Sequence, residues 1–187
     1  MIKLEAELCI NINKYNESQI ISKKNKGSGV LVRNFIFGVE DSVVSTVGLL
    51  SGIAAAGVAK QTVFLTGAVL IFVEAISMAI GSFLSEESTE EFDRLKIRRN
   101  ISIFGAITMF LSYFISGFIP LLPYIVFERQ VAFFSSIAFS IFALIILGLI
   151  SAHWGRKKYL RRAMQMALMG GAAILAGIVV GNIVQNL

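Results

Sequence analysis

Residues 62–84 read TVFLTGAVLIFVEAISMAIGSFL, an apolar run that contains a single charged residue, Glu74. A helix of roughly 20 apolar residues crosses a bilayer core about 30 Å thick. The run is continuous rather than alternating between polar and apolar positions, which favours a helix over a membrane strand. The sequence therefore predicts a transmembrane helix over residues 62–84, and this helix decides the class of fold.

Four more runs of similar length surround this one. Together the predicted spans are 31–58, 62–84, 101–126, 131–152 and 164–185. The hydrophobic content of 56% and the mean hydropathy of +0.76 are too high for a soluble globule of 187 residues. We therefore predict an all-α integral membrane protein with five transmembrane helices in residues 29–187, preceded by a cytosolic N-terminal tail in residues 1–28.

Basic residues cluster at alternate connections between the predicted spans. The clusters are Lys23, Lys24, Lys26 and Arg33; Arg94, Lys96, Arg98 and Arg99; and Arg156, Lys157, Lys158, Arg161 and Arg162. Short cytosolic loops carry an excess of Lys and Arg, so the pattern predicts a cytosolic N-terminus and a C-terminus outside. Despite the net charge of +5, clusters at helix ends are typical of contact with lipid headgroups, and we expect no nucleic-acid partner.

Small residues recur at four-residue spacing in the first and fifth spans. They are Gly48, Gly52 and Ala56 in the first, and Ala173, Gly177 and Gly181 in the fifth. Such stripes let helix backbones approach closely, although spacing does not say whether the partner helix belongs to the same chain or to a second copy. In the third span, Pro120 and Pro123 predict a break or kink near its end.

Three ionisable side chains lie inside the predicted spans: Glu40 and Asp41 in the first and Glu74 in the second. An ionisable group in a membrane helix costs about 2.5 to 3.5 kcal/mol on insertion scales, so each is a functional candidate. Their depths along antiparallel helices are comparable, and we expect the carboxylates to face one another. Asp41 is the strongest candidate, because its side chain is too short to reach the membrane surface.

Helical spacing places Met78 one turn after Glu74 on the same face of the second span. A thioether beside carboxylates favours first-row transition metals such as Fe²⁺, whereas oxygen ligands alone suit Mg²⁺ or Ca²⁺. Structural interpretations remain open for three of these residues. Met78 alone is typical of helix packing, Glu74 alone could be a protonated acid bonded to a neighbouring helix, and Glu40 could pair with a basic group.

An acidic run follows the second span. Its carboxylates are Glu86, Glu87, Glu90 and Glu91, which share helix faces in pairs if the helix continues. This run is a weaker candidate for collecting metal ions. The alternative is a solvated helix end whose charge is balanced by the basic residues that follow it.

Two stretches resemble a known family. Residues 37–49, FGVEDSVVSTVGL, look like the first-helix signature of the vacuolar iron transporter family, and residues 77–81, SMAIG, with Leu84 and Ser85, resemble its second-helix signature. The PLLP stretch at 120–123 and the Gly-rich fifth span are similar as well. The resemblance covers the chain from about residue 31 to its end.

This resemblance implies a homodimer with a metal path between the first helices of its two copies, which exports Fe²⁺ or Mn²⁺ from the cytosol in exchange for protons. It also implies that Asp41 and Met78 line that path. The chain departs from the family pattern at Glu40, Ser42 and Ser82. It also lacks the long carboxylate-rich cytosolic domain that plant and parasite members carry between the second and third spans.

From residues and resemblance together we predict a divalent transition-metal transporter for Fe²⁺ or Mn²⁺, with Asp41, Met78, Glu74 and Glu40 as metal ligands. We expect no catalytic residues and no resident cofactor. The alternative is a non-transporting membrane scaffold in which the buried acids only make hydrogen bonds. Compact loops and the absence of a targeting segment lead us to expect a prokaryotic plasma membrane.

Overall fold

The computed structural model describes the backbone of residues 2–93, 99–155 and 158–186, and the side chains of 28–89, 100–155 and 158–186. All regular structure within these residues is helical. The helices are α1 (Ile2–Ala55), α2 (Lys60–Asp93), α3 (Arg99–Leu121), α4 (Pro123–Val126), α5 (Arg129–Gly155) and α6 (Tyr159–Gln185). The prediction of an all-α fold is confirmed.

Five segments of the described chain are long and apolar enough to cross a membrane, as predicted. They are Ser28–Ala55, Lys60–Thr89, Asn100–Val126, Arg129–Gly155 and Tyr159–Gln185. The first ends before the predicted residue 58, because Gly57 adopts a positive φ of 78° and turns the chain towards α2. The backbone of α1 begins at Ile2, upstream of its span. The assignment of residues 1–28 to a cytosolic tail stays a prediction.

Helices α1 and α3 form the centre of the bundle. Half of the most apolar stretch in each of their spans is buried, against 22%, 28% and 17% in α2, α5 and α6. Three apolar side chains of α1, those of Val43, Val47 and Leu50, and two hydroxyl side chains, those of Ser42 and Thr46, are fully buried. Because the remaining helices surround α1 and α3, these hydroxyls lie inside the bundle, whereas the acids of the α1 span are half-buried.

The small-residue stripes of α1 and α6 pack against each other within one chain. A Cβ atom added to Gly52 would lie 2.7 Å from the carbonyl oxygen of Gly177, and one added to Gly48 would lie 3.1 Å from that of Ala173. On α6, Gly177 and Gly181 in turn face the backbone of Gly48 and Gly52. The two helices therefore run parallel with their backbones in contact, which answers the question that spacing left open.

Hydrogen bonds between helices replace those that lipid cannot supply. The hydroxyl of Ser42 on α1 donates to the carbonyl oxygen of Tyr113 on α3 at 2.6 Å. Asn34 on α1 donates through Nδ2 to the hydroxyl of Ser82 on α2 at 2.8 Å. These contacts fix the rotation of α1 about its own axis and so determine which of its side chains face a cavity.

The predicted break in the third span lies where α3 ends at Leu121 and the short helix α4 begins at Pro123. Proline has no N–H, so carbonyl groups one turn before it lose their usual partner. Ser136 on α5 donates its hydroxyl to the carbonyl oxygen of Pro120 at 2.7 Å, which satisfies one acceptor near the break. Close by, Arg129 donates through Nη1 to the carbonyl oxygen of Gly57 at 2.9 Å and anchors the α1–α2 turn.

The contact between α1 and α6 predicts that Gly177→Ala destabilises the protein by about 1 to 3 kcal/mol, because a methyl group there collides with the α1 backbone. Gly171→Ala on the same helix is the matched control, since its Cβ meets nothing within 4 Å. Unfolding in mild detergent measures both variants. Equal stability of the two would contradict the backbone contact.

Candidate functional site

Two cavities lie along α1 and α6, one towards each end of the bundle. We call the end where α6 begins, near Tyr159, the basic end, and the end where α1 and α6 finish the far end. The basic-end cavity has a volume of about 750 Å³ and lies between α1 and α6. It is lined by Phe37, Glu40, Asp41, Val44, Arg162, Gln165, Met166, Leu168, Met169 and Ala172.

The predicted first-span acids both line the basic-end cavity, and both are half-buried. Glu40 interacts electrostatically with Arg162 and with Asp41. The Arg162 guanidinium also donates through Nε to the hydroxyl of Ser151 on α5 at 3.4 Å. A positive charge held at the α5–α6 boundary therefore balances part of the negative charge of Glu40.

The far-end cavity has a volume of about 570 Å³ and lies between α1, α2 and α6. Its lining is Ser45, Gly48, Leu49, Gly52, Ile53, Ala56, Val58, Leu70, Glu74, Gly177, Val180, Gly181 and Val184. The polar side chains in this lining are those of Ser45 and Glu74, which lie at its inner limit. An ion entering from the far end would therefore meet its first charged group, Glu74, at mid-span.

A hydrogen-bonded triad holds the Glu74 carboxylate. The Tyr113 hydroxyl on α3 donates to Oε2 of Glu74, the Ser45 hydroxyl on α1 donates to the same oxygen at 3.2 Å, and the two hydroxyls lie 2.8 Å apart. Sequence reasoning missed Tyr113. The available signal was a tyrosine inside an apolar span, since a buried Tyr hydroxyl usually finds a partner.

Asp41 lies between the acids of the two cavities, because its charge acts on Glu40 in its own cavity and on Glu74, whose partner Ser45 is one turn further along α1. The predicted polar stripe of α1 thus lines both cavities, with Asp41 in one and Ser45, Gly48 and Gly52 in the other. Among the described side chains no three acidic, His or Cys residues form a group able to hold a metal ion. The three acids therefore follow one another along the bundle and do not surround a single point.

Met78, the predicted thioether ligand on α2, is half-buried and lines neither of these two cavities. The thioethers that share a cavity with Asp41 are instead those of Met166 and Met169 on α6. Sequence reasoning passed over both, because it compared acids with methionines on the same helix only. A metal role for Met78 stays a prediction.

The acidic run begins with a paired carboxylate. Glu86 forms an ion pair with Arg33 of α1, and its side chain is only 6% exposed. This favours the structural interpretation of Glu86 as a tie between the basic ends of α1 and α2. Glu87 is half-buried, and the side chains of Glu90 and Glu91 lie outside the described residues, so metal binding by these three stays a prediction.

Comparison with known proteins places this architecture in a known family. A family model described as the VIT family matches residues 32–104 and 100–182, which include all five spans except their outermost residues. The chain belongs to the VIT family. The two matched segments meet at the start of α3, where only a short connection follows the end of α2 at Asp93.

Relatives in the VIT family match most of the chain at low identity. Vacuolar iron transporter 1 of Arabidopsis thaliana is 23% identical over an alignment 226 positions long, which covers 88% of this chain and 90% of the relative. Vacuolar iron transporter of Centaurea cyanus is 25% identical over 210 residues, covering 80% and 86%. Vacuolar iron transporter cccA of Arthroderma benhamiae is 35% identical over 90 residues, covering 43% of this chain and 32% of the relative.

The triad predicts that Tyr113→Phe lowers stability by about 1 kcal/mol or more, because the Glu74 carboxylate loses a buried donor. Tyr124→Phe is the matched control, since the buried Tyr124 hydroxyl has no hydrogen-bond partner among the described residues. A double-mutant cycle of Tyr113→Phe with Glu74→Gln, followed by unfolding in detergent, should give a coupling above about 0.5 kcal/mol. Additive effects, or an equal loss in the Tyr124 variant, would rule the triad out.

Proposed function

We propose that this protein transports a divalent transition metal, Fe²⁺ or Mn²⁺, out of the cytosol along a path that passes Asp41 and Glu74. The observation that carries the proposal is the pair of cavities along α1, one lined by Asp41 and the other by Glu74. Membership of the VIT family and the names of its relatives, which describe iron transporters rather than enzymes, support the same function.

The orientation of the bundle in the membrane follows from the distribution of charge. Basic residues lie at the end where α6 begins, and by the positive-inside rule that end faces the cytosol. A cytosolic cation thus enters the basic-end cavity, where Asp41 and Glu40 replace part of its hydration shell. It then passes to Glu74 and leaves through the far-end cavity, whose remaining lining is apolar apart from Ser45.

Exchange with protons follows from the cost of leaving a bare carboxylate in an apolar site. When the metal leaves, Asp41 and Glu74 repel each other, so an empty site is stabilised by taking up a proton. Protons bound in this way return to the cytosolic side as the acids accept the next metal ion. This coupling makes an opposing pH gradient a driving force for export.

A second copy of the chain completes the path in our proposal. One chain offers acids in series but, among its described side chains, no group of three Asp, Glu, His or Cys residues that could hold a metal ion. Divalent metals in hard-ligand sites take about six ligands, so the coordination requires water or a partner subunit. A homodimer that brings two α1 helices together supplies a second Asp41 and brings Met78 towards the path.

The protein is integral to a membrane, and its relatives are named as vacuolar. The expectation of a prokaryotic plasma membrane gains no support from them. Export from the cytosol runs from the basic end to the far end in a vacuolar membrane and in a plasma membrane alike, because the far end faces away from the cytosol in both. The proposal therefore depends on the orientation of the bundle and not on the organelle.

Flux of Fe²⁺ and Mn²⁺ into proteoliposomes, with and without a pH gradient, tests the proposal. We expect wild-type flux to rise with an opposing proton gradient, and Asp41→Asn to reduce it by at least about tenfold, since even the outer partners of a metal ligand contribute 10- to 100-fold to affinity. Glu74→Gln should also reduce it.

The control variant is Glu128→Gln, which neutralises an exposed acid outside both cavities and should leave flux unchanged. If folded wild-type protein moves neither metal, the transporter proposal is wrong and the scaffold alternative replaces it. If Asp41→Asn transports as well as wild type, Asp41 is a structural acid.

A further inference from the structure

Two methionines of α6 share the basic-end cavity with the acids of α1. Met166 is almost fully buried, at 1% exposure, whereas Met169 is 59% exposed. Together with Arg162 and Gln165 they form one face of α6, because these residues are spaced three or four apart. The cavity therefore has carboxylates on its α1 wall and, on its α6 wall, the exposed Met169 together with Met166, which also packs in the apolar cluster of Val43, Leu144 and Leu147.

The parallel packing of the two helices puts these groups at the same depth. Gly48 lies between the levels of Ala173 and Gly177 on α6, and the same offsets along the chain put Asp41 level with residues 166–170, which include Met166 and Met169. The contact of glycine backbones holds α1 and α6 at close range near this level. A thioether and a carboxylate are thus brought together by the feature that fixes the whole bundle.

The occupant of this cavity is not a lipid chain. Its lining includes four polar or charged side chains, those of Glu40, Asp41, Arg162 and Gln165. Apolar chains would leave these groups without partners, at a cost of several kcal/mol each. Water and cations satisfy them instead, which makes the exposed Met169 thioether a neighbour of hydrated ions rather than a packing residue.

We infer that Met166 and Met169 form, with Asp41 and Glu40, a metal site between α1 and α6 that selects soft divalent cations over hard ones such as Mg²⁺. This deepens the proposed transport function and rests on it for its biological role. Thioethers add affinity for softer metals, whereas carboxylates alone favour Mg²⁺, Ca²⁺ or Mn²⁺. The Gln165 amide oxygen completes the set of donors, and Arg162 balances the charge of Glu40.

The test is calorimetric binding of Cd²⁺ and Mg²⁺ to the purified protein in detergent, with Cd²⁺ as a soft probe. The test variant is Met166→Leu with Met169→Leu, because Leu nearly preserves the volume of Met and removes only the sulfur. The control is Met164→Leu, which changes an exposed methionine of the same helix outside both cavities.

We expect the double variant to bind Cd²⁺ about tenfold more weakly, in the range found when groups around a metal are removed. Binding of Mg²⁺ and the unfolding midpoint should stay the same, and the control should resemble wild type in every measurement. Equal Cd²⁺ affinity in the double variant and wild type would overturn the inference, as would a wild type that binds no Cd²⁺.

Failure of this inference is distinguishable from failure of the transport proposal. Binding is measured without a membrane. If the protein binds Cd²⁺ through α6 but moves no metal, the inferred site stands and the transport proposal fails. Conversely, if wild type transports Fe²⁺ and the double variant binds Cd²⁺ as tightly as wild type does, the transport proposal stands and the α6 methionines are not metal ligands.

Discussion

The architecture depends on the backbone contact between α1 and α6. Gly48 and Gly52 lie against Ala173, Gly177 and Gly181, and no side chain larger than a methyl group separates the two helices along this line. In lipid, such packing replaces the hydrophobic driving force that a soluble bundle would use. The contact fixes the two helices parallel and in register, and it also divides the space beside them into a cavity towards each end.

Polar contacts with α3 and α2 hold α1 in addition to its contact with α6. Ser42 donates to the backbone of α3, and Ser45 reaches the Glu74 carboxylate on α2. Because several helices hold α1, its polar stripe cannot turn freely towards lipid. Part of the cost of burying acids in the membrane is offset by the Ser45 and Tyr113 hydroxyls at Glu74 and by Arg162 near Glu40.

The five spans could be predicted from the sequence because each depends only on local composition, and the stripe of Asp41, Ser45 and Gly48 because it depends only on helical period. The contacts that residues make with residues of other helices could not be predicted in this way. The stripes of Gly48 and Gly177 indicated close approach without saying that they met each other, and Tyr113 gave no sign that its hydroxyl reaches Glu74. The position of Met166 level with Asp41 follows from the register of two helices more than a hundred residues apart.

The hydrogen bonds described between α1 and α2 lie at two levels. Near the basic end, Arg33 pairs with Glu86 and Asn34 with Ser82, while at mid-span Ser45 alone bridges to Glu74. A cation that takes up the Glu74 oxygens competes with the Ser45 hydroxyl for the same lone pairs. On the proposed transport path, a cation bound to Glu74 would weaken the mid-span hydrogen bond between α1 and α2 and leave their contacts near the basic end unchanged.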